Sequence, residues 1–153
     1  MAICTYNART LASEAAIEDL MMQAKKIKYD LIGLTETRRR HPLAVYETRE
    51  ELFLGTCDSR GVGGVGVLVK SSMAKNIDSF EQLTTRIRRL RMRRCDPTPA
   101  LTIFVAYAPT SNKLRRRSRR FLYEHGGVLP RRSCLLQGHN LQFQRQIWPK
   151  KNA

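Results

Sequence analysis

The chain has 153 residues, 42% of them hydrophobic, and a formal net charge of +15. That is enough apolar content for the core of one ordinary domain or a fragment of a larger one, so the chain does not read as a disordered protein, and the excess of Lys and Arg points to a polyanionic partner such as nucleic acid. No run is long and apolar enough to span a membrane, and the start Met1-Ala2-Ile3-Cys4-Thr5-Tyr6 lacks the charged and apolar regions of a secretory signal, so an intracellular, nuclear or cytoplasmic, location is expected.

The charge is unevenly placed. Beyond Asn112 there are 11 basic residues against 1 acidic residue, so about two thirds of the excess lies in the last 41 positions. The cysteines Cys4, Cys57, Cys95 and Cys134 are scattered, with no C-x-x-C pair and no histidine at finger spacing. Reduced thiols are expected, and a zinc finger or disulfide scaffold is not.

In chain order, Ala2 to Tyr6 reads as a strand ending at Asn7. Ser13 can cap a helix reaching about Ile27, whose apolar positions Ile17, Leu20, Met21, Ala24 and Ile27 share one face. A turn at Lys28-Tyr29 leads into the strand Leu31 to Thr35. If the two strands are parallel, this strand–helix–strand unit brings Asn7 and Glu36 to one sheet edge. An acid at such an edge commonly holds a metal or moves a proton.

Arg38-Arg39-Arg40-His41-Pro42 reads as a basic loop beside Glu36, and Tyr46 to Leu54 carries mixed polar and apolar residues. Gly61-Val62-Gly63-Gly64 is a glycine-rich turn running into the apolar strand Val65 to Val69. A phosphate-cradling loop would need a helix after it, so a nucleotide-binding loop is disfavoured. Thr85 to Cys95 alternates imperfectly, with Ile87, Leu90 and Met92 among arginines, and reads as a solvated edge strand or, more sharply, a DNA-facing one. Leu101 to Tyr107 is a β-branched and aromatic strand.

Three segments, Thr5-Tyr6-Asn7-Ala8-Arg9-Thr10-Leu11, Asp30 to Arg39 and Val105-Ala106-Tyr107-Ala108-Pro109-Thr110-Ser111, resemble the opening motifs of the endonuclease/exonuclease/phosphatase superfamily. Together with Glu51 to Val69 they are most similar to the apurinic-like endonuclease domain of RTE-type non-LTR retrotransposons, found in gene models named craniofacial development protein 2-like. The resemblance implies an α/β fold: a four-layer α/β sandwich with two mixed β-sheets packed face to face and helices outside, of which this chain would hold the N-terminal part. It also implies Mg²⁺-dependent nicking of DNA, with Glu36 on the metal, Asn7 orienting metal and phosphate, Tyr107 against the scissile phosphate, and Arg38 and Arg39 on the DNA backbone. A hard cation and oxygen ligands suit this chemistry because a phosphodiester repels nucleophiles through its own charge.

The family completes its site with Gly-Asp-Phe-Asn about thirty residues after the tyrosine strand and with a terminal Ser-Asp-His, and neither is present. Where the first should lie, the chain reads Leu136-Gln137-Gly138-His139-Asn140-Leu141-Gln142-Phe143-Gln144. A one-base shift of allowed codons turns Arg115-Arg116-Arg117-Ser118-Arg119 into Glu-Glu-Glu-Val-Glu, and Leu135 to His139 into Phe-Tyr-Lys-Val-Ile, as the family expects. The expectation is therefore a domain fragment over residues 1–112 and a basic, poorly ordered, out-of-frame tail over 113–153. Gln142 cannot yield Asp even in the restored frame. The nicking activity is expected to be lost, and the alternative is a non-catalytic basic fragment that binds nucleic acid. His41, His125, His139 and Trp148 read as solvated bystanders, and the oligomeric state is left open.

Overall fold

A computed structural model of the chain describes residues 1–47, 50–93, 100–107, 133–138 and 144–147. The arginine run at 115–120, the motif residues Ala108 to Ser111, and His125, His139 and Trp148 lie outside the described residues.

The first unit is a parallel strand–helix–strand. Strand β1 (Ala2–Asn7) and strand β2 (Leu31–Thr35) pair in parallel, with Asn7 opposite Thr35. Helix α1 (Glu14–Ala24) joins them, capped by Ser13, whose hydroxyl accepts from the Ala16 amide at 3.3 Å. The expected face is buried through Ile17, Leu20, Met21 and Ala24. The helix stops three residues short of Ile27, however, and closes in a turn in which the Ile27 amide donates to the Ala24 carbonyl. Ile27 still packs against the same cluster from that turn.

The segment read as mixed between Tyr46 and Leu54 belongs to two antiparallel strands, β3 (Leu43–Glu47) and β4 (Glu50–Leu54). Strand β5 (Val65–Lys70) sits between β4 and β2, and a single helical turn, α2 (Ser71–Ala74), follows it. Strands β6 (Ile77–Thr84), β7 (Ile87–Met92) and β8 (Leu101–Tyr107) form an antiparallel series in a second sheet.

Two further strands come from the C-terminal region. Strand β9 (Ser133–Gly138) runs parallel to β8, and β10 (Gln144–Ile147) runs antiparallel to β1. The sheets are therefore β10-β1-β2-β5-β4-β3 and β6-β7-β8-β9, each of mixed direction.

The layers follow from strand alternation. Ile3, Leu31, Val65, Val67 and Val69 of the first sheet meet Leu90, Met92, Ile103 and Val105 of the second, so the two sheets pack face to face. The other face of the first sheet, carrying Cys4, Ile32, Leu34, Leu52 and Leu68, is covered by α1. This is the expected α/β sandwich in partial form. Among the described residues, no helix is long and apolar enough to cross a membrane.

One strand departs from expectation. The segment from Thr85 was read as an edge strand, yet β7 lies inside its sheet, paired on both sides. Its alternation looked imperfect because Ile87 faces outward with Phe104 and Ala106, while Arg88 shares the inward face with Leu90 and Met92.

Candidate active site

The parallel register sets Asn7 beside Thr35, the residue before Glu36, so the strand–helix–strand unit delivers an amide and a carboxylate to one edge. Tyr107 ends β8 and reaches the same edge from the second sheet. Burial first, then a hydrogen bond to Glu36 and the charge of that carboxylate, pushes the Tyr107 hydroxyl up to about 12, against an opposing pull from Arg38 and Arg86. Glu36 and Tyr107 are thus neighbours across the seam of the sandwich.

Backbone hydrogen bonds lock this edge from one sheet to the other. The Ala8 amide donates to Thr35 (2.9 Å) and the Leu11 amide to Thr37 (2.8 Å). The Thr37 and Arg38 amides then donate to the carbonyls of Gly64 (3.1 Å) and Gly63 (3.0 Å). Gly64 donates in turn to Thr85 (2.9 Å), and Tyr107 to Arg86 (2.8 Å). Each loop is held by the next, so Glu36 is positioned by main chain rather than by one side-chain contact.

The backbone at this edge is strained. Arg9, Glu36 and Arg38 have φ of 55°, 55° and 53°, a left-handed conformation that costs an L-residue of order 1–2 kcal/mol each. Such outliers persist where the surroundings over-determine them, which is common at functional sites. The two glycines opposite make the turn possible. Gly63 and Gly64 have φ of 80° and 83°, and a Cβ on Gly64 would come within 2.5 Å of Thr37 Oγ1.

Each residue singled out in the sequence has a distinct place. The Asn7 side-chain oxygen accepts from the Arg9 amide at 3.0 Å, closing the turn after β1. The exposed Arg38 guanidinium lies 3.6 Å from a Glu36 oxygen, and the Glu36 side chain is only 17% exposed. Arg39 turns the other way and donates to the Leu11 carbonyl at 2.9 Å, so its guanidinium braces the loop after β1.

Three contributors were not read from the sequence. Thr37 is fully buried and, among the described residues, its hydroxyl has no partner. Arg86 flanks Tyr107. Asp58 holds the glycine loop by accepting from the Val62 and Arg60 amides, both at 2.9 Å, and these bonds, Val62 first, hold its carboxyl below the usual range despite partial desolvation. An Asp followed by Ser-Arg-Gly is a recognisable turn opener, so Asp58 had a local signal. Thr37 and Arg86 had none, because their roles depend on strands distant in sequence.

No protein-family model matches the sequence, and no curated protein matches it. Solved structures do. The chain superposes on the endonuclease domain of TRAS1, a telomere-specific non-LTR retrotransposon, with a TM-score of 0.59 at 14% identity, covering 89% of this chain and 57% of that one. Against an endonuclease/exonuclease/phosphatase family protein from Bacteroides thetaiotaomicron the TM-score is 0.55 at 10% identity, covering 90% and 62%. The fold is that of endonuclease/exonuclease/phosphatase proteins. Humanized D. rerio TDP2 gives a TM-score of 0.58 at 11% identity, covering 90% and 60%. The chain thus spans less than two thirds of these endonuclease/exonuclease/phosphatase structures.

Strand β9 ends at the same place. Its register places Gly138 beside Tyr107, so the carboxyl end of β9 reaches the edge that carries Glu36. The sequence there continues His139-Asn140, and no Asp or Glu occurs after Glu124. Among the described residues, no three His, Cys, Asp or Glu side chains converge on a common point.

Proposed function

We propose that the chain is a retrotransposon-derived DNA endonuclease domain of the RTE type that retains a DNA-binding edge and has lost the ability to cut. The observation that carries this reading is the union of Glu36, Tyr107 and Asn7 at one edge whose next strand, β9, leads into Gly138-His139-Asn140 without an acid. The fold likeness to the TRAS1 endonuclease domain, and to a D. rerio TDP2 structure complexed with single-strand DNA product, supports a DNA partner.

The donor set fits a weak divalent site. Glu36 supplies one carboxylate and Asn7 an amide oxygen already engaged by Arg9, and Mg²⁺ accepts as few as one or two carboxylates when substrate phosphate completes its shell. Such a cation, when bound, would polarise a phosphate oxygen. Tyr107, kept protonated at neutral pH, donates a hydrogen bond toward the same place, and Arg38 and Arg86 add positive charge around it. None of these groups is a free base able to take a proton from water, so positioning survives and activation does not.

Nicking of supercoiled plasmid with Mg²⁺ is the direct test, comparing the chain with Glu36→Ala. The expectation is no activity above background in either protein, together with DNA binding by both. Mg²⁺-dependent nicking that disappears in Glu36→Ala would refute the inactive reading.

The uneven charge favours a second reading, in which the basic region beyond Asn112 alone carries binding. Replacing Arg115, Arg116, Arg117, Arg119 and Arg120 with Gln would then abolish binding, whereas the edge reading expects a weaker but persistent interaction.

A further inference from the structure

Among the described residues, Arg88 is a buried cation without a counter-charge. Alternation along β7 turns it inward with Leu90 and Met92, one residue from the strand's start, and it is only 9% exposed. Its guanidinium lies over the Phe80 ring at 4.5 Å and against Gly55, where a Cβ would stand 2.6 Å from Cζ. Nη2 donates to Gln82 Oε1 at 2.7 Å, a neutral acceptor, and Nε has no partner among the described residues. Among the described residues, no carboxylate lies within ion-pair distance of it. Burial alone pulls its pKa down, yet a guanidinium stays charged at any physiological pH.

An apolar residue of similar length would fill this inward position without the cost of an unpaired charge. An arginine here makes sense if an anion completes it. Its setting supplies other donors: the exposed Gln82 side chain meets Thr56 through Nε2 and the Thr56 hydroxyl at 3.1 Å. Its place is also telling. Arg88 pairs with Val105, two residues before Tyr107, and Gly55 follows the end of β4, so this group lies at the sheet edge that holds Glu36, displaced toward β4 and β6.

We propose that Arg88, with Gln82 and Thr56, forms a second phosphate subsite that takes a DNA backbone phosphate flanking the one at Glu36 and Tyr107. A phosphate oxygen replaces Gln82 Oε1 on the Arg88 guanidinium, and the Gln82 amide and Thr56 hydroxyl donate to the same phosphate. This subsite rests on the DNA reading above for the identity of its ligand, though its anion chemistry does not.

The test uses the full chain and Arg88→Met. Binding of a short duplex is followed across a salt series, and thermal unfolding is followed with and without inorganic pyrophosphate. The expected result is DNA binding about tenfold weaker at low salt, with a salt slope reduced by about one. Pyrophosphate should raise the Tm of the original chain but not of the variant, whose Tm without ligand is unchanged or higher. Wild-type salt slope and wild-type pyrophosphate response in the variant would overturn the proposal.

If neither protein bound duplex DNA, the DNA reading would fall, while the pyrophosphate arm would still decide the anion subsite. Should Arg88→Met not fold, Gln82→Glu at its exposed position supplies an internal counter-charge. It should raise the Tm and abolish the pyrophosphate response, and Ser72→Glu, outside this cluster and beyond the other end of β5, should do neither. A pyrophosphate response intact in Gln82→Glu would overturn the subsite.

Discussion

Gly64→Ala tests whether the glycine loop is what holds Glu36 in place. The substitution forces an L-residue to φ 83°, at a cost of roughly 1–2 kcal/mol. It also drives a methyl to 2.5 Å from Thr37 Oγ1 and 3.0 Å from the Arg38 nitrogen. Neither can retreat freely. Thr37 is fully buried, and the Arg38 amide is committed to the Gly63 carbonyl at 3.0 Å. Overpacking of this kind adds roughly 1–3 kcal/mol, for a total of about 2–5 kcal/mol. Gly61→Ala is the internal control, because Gly61 has φ 75° but nothing within 4 Å of its Cβ position, and should cost only the conformational part. Urea unfolding followed by circular dichroism reads both, and a difference of about 2 kcal/mol would separate their Tm values by roughly 4–8 °C. Equal destabilisation by the two substitutions, within about 0.5 kcal/mol, would refute the claim that the glycine loop and the Glu36 turn are in close contact.

Tyr107 should titrate at about 12 and move toward the ordinary 10.0 in Glu36→Gln, with part of the elevation remaining because burial is its largest cause; tyrosinate absorbance checks this. Since the folded pKa lies above the unfolded one, Tyr107 lends stability that is complete below pH 10.0 and is lost as pH rises toward about 12. Tyr29→Phe should cost about 2–3 kcal/mol in urea unfolding, because the Tyr29 hydroxyl, 2.5 Å from Glu50 Oε1, is the hydrogen-bond donor to a buried carboxylate whose other oxygen has no partner among the described residues. Arg38→Ala should weaken duplex binding and lower the salt slope by about one with stability changed by less than about 0.5 kcal/mol, whereas Arg39→Ala should instead destabilise by about 1–2 kcal/mol through the lost bond to Leu11; denaturation and anisotropy together separate the two.

The parts of the fold that were legible in the sequence are those built on local signals. Ser13 before a 3.6-residue apolar period marks α1, and the strands on either side follow from their apolar runs, so the sequence alone places Asn7 and Glu36 at one edge if the strands are parallel, as they are. Strand β6 was not legible. Its register shifts twice against β7, between Ile77 and Ser79 and between Gln82 and Thr84, and each shift breaks the period of two on which a strand is recognised. Strand β7 was placed at an edge because its arginines look solvated, whereas one of them, Arg88, faces the core. The Gly63-Gly64 turn was visible as a turn but its task was not, since that task is a contact with Thr37 and Arg38 more than twenty positions earlier.

On the proposed reading, binding and cutting draw on different parts of this architecture. The positions of Asn7, Glu36 and Tyr107 depend on main-chain bonds running from Thr35 through Thr37, Gly64 and Thr85 to Arg86, and among the described residues none after Tyr107 takes part in them. That edge, with Arg38 and Arg86 on it, therefore takes its geometry from residues that precede β9. The proposed loss of cutting rests instead on the stretch from the end of β9, which reads Gly138-His139-Asn140 and carries no carboxylate side chain through Ala153. A phosphate held at the edge asks only for fixed donors and positive charge, which the first 107 residues already supply. The DNA-binding reading thus rests on the part of the chain where sequence and fold agree, and the inactive reading on the lack of an acid in the stretch that follows β9.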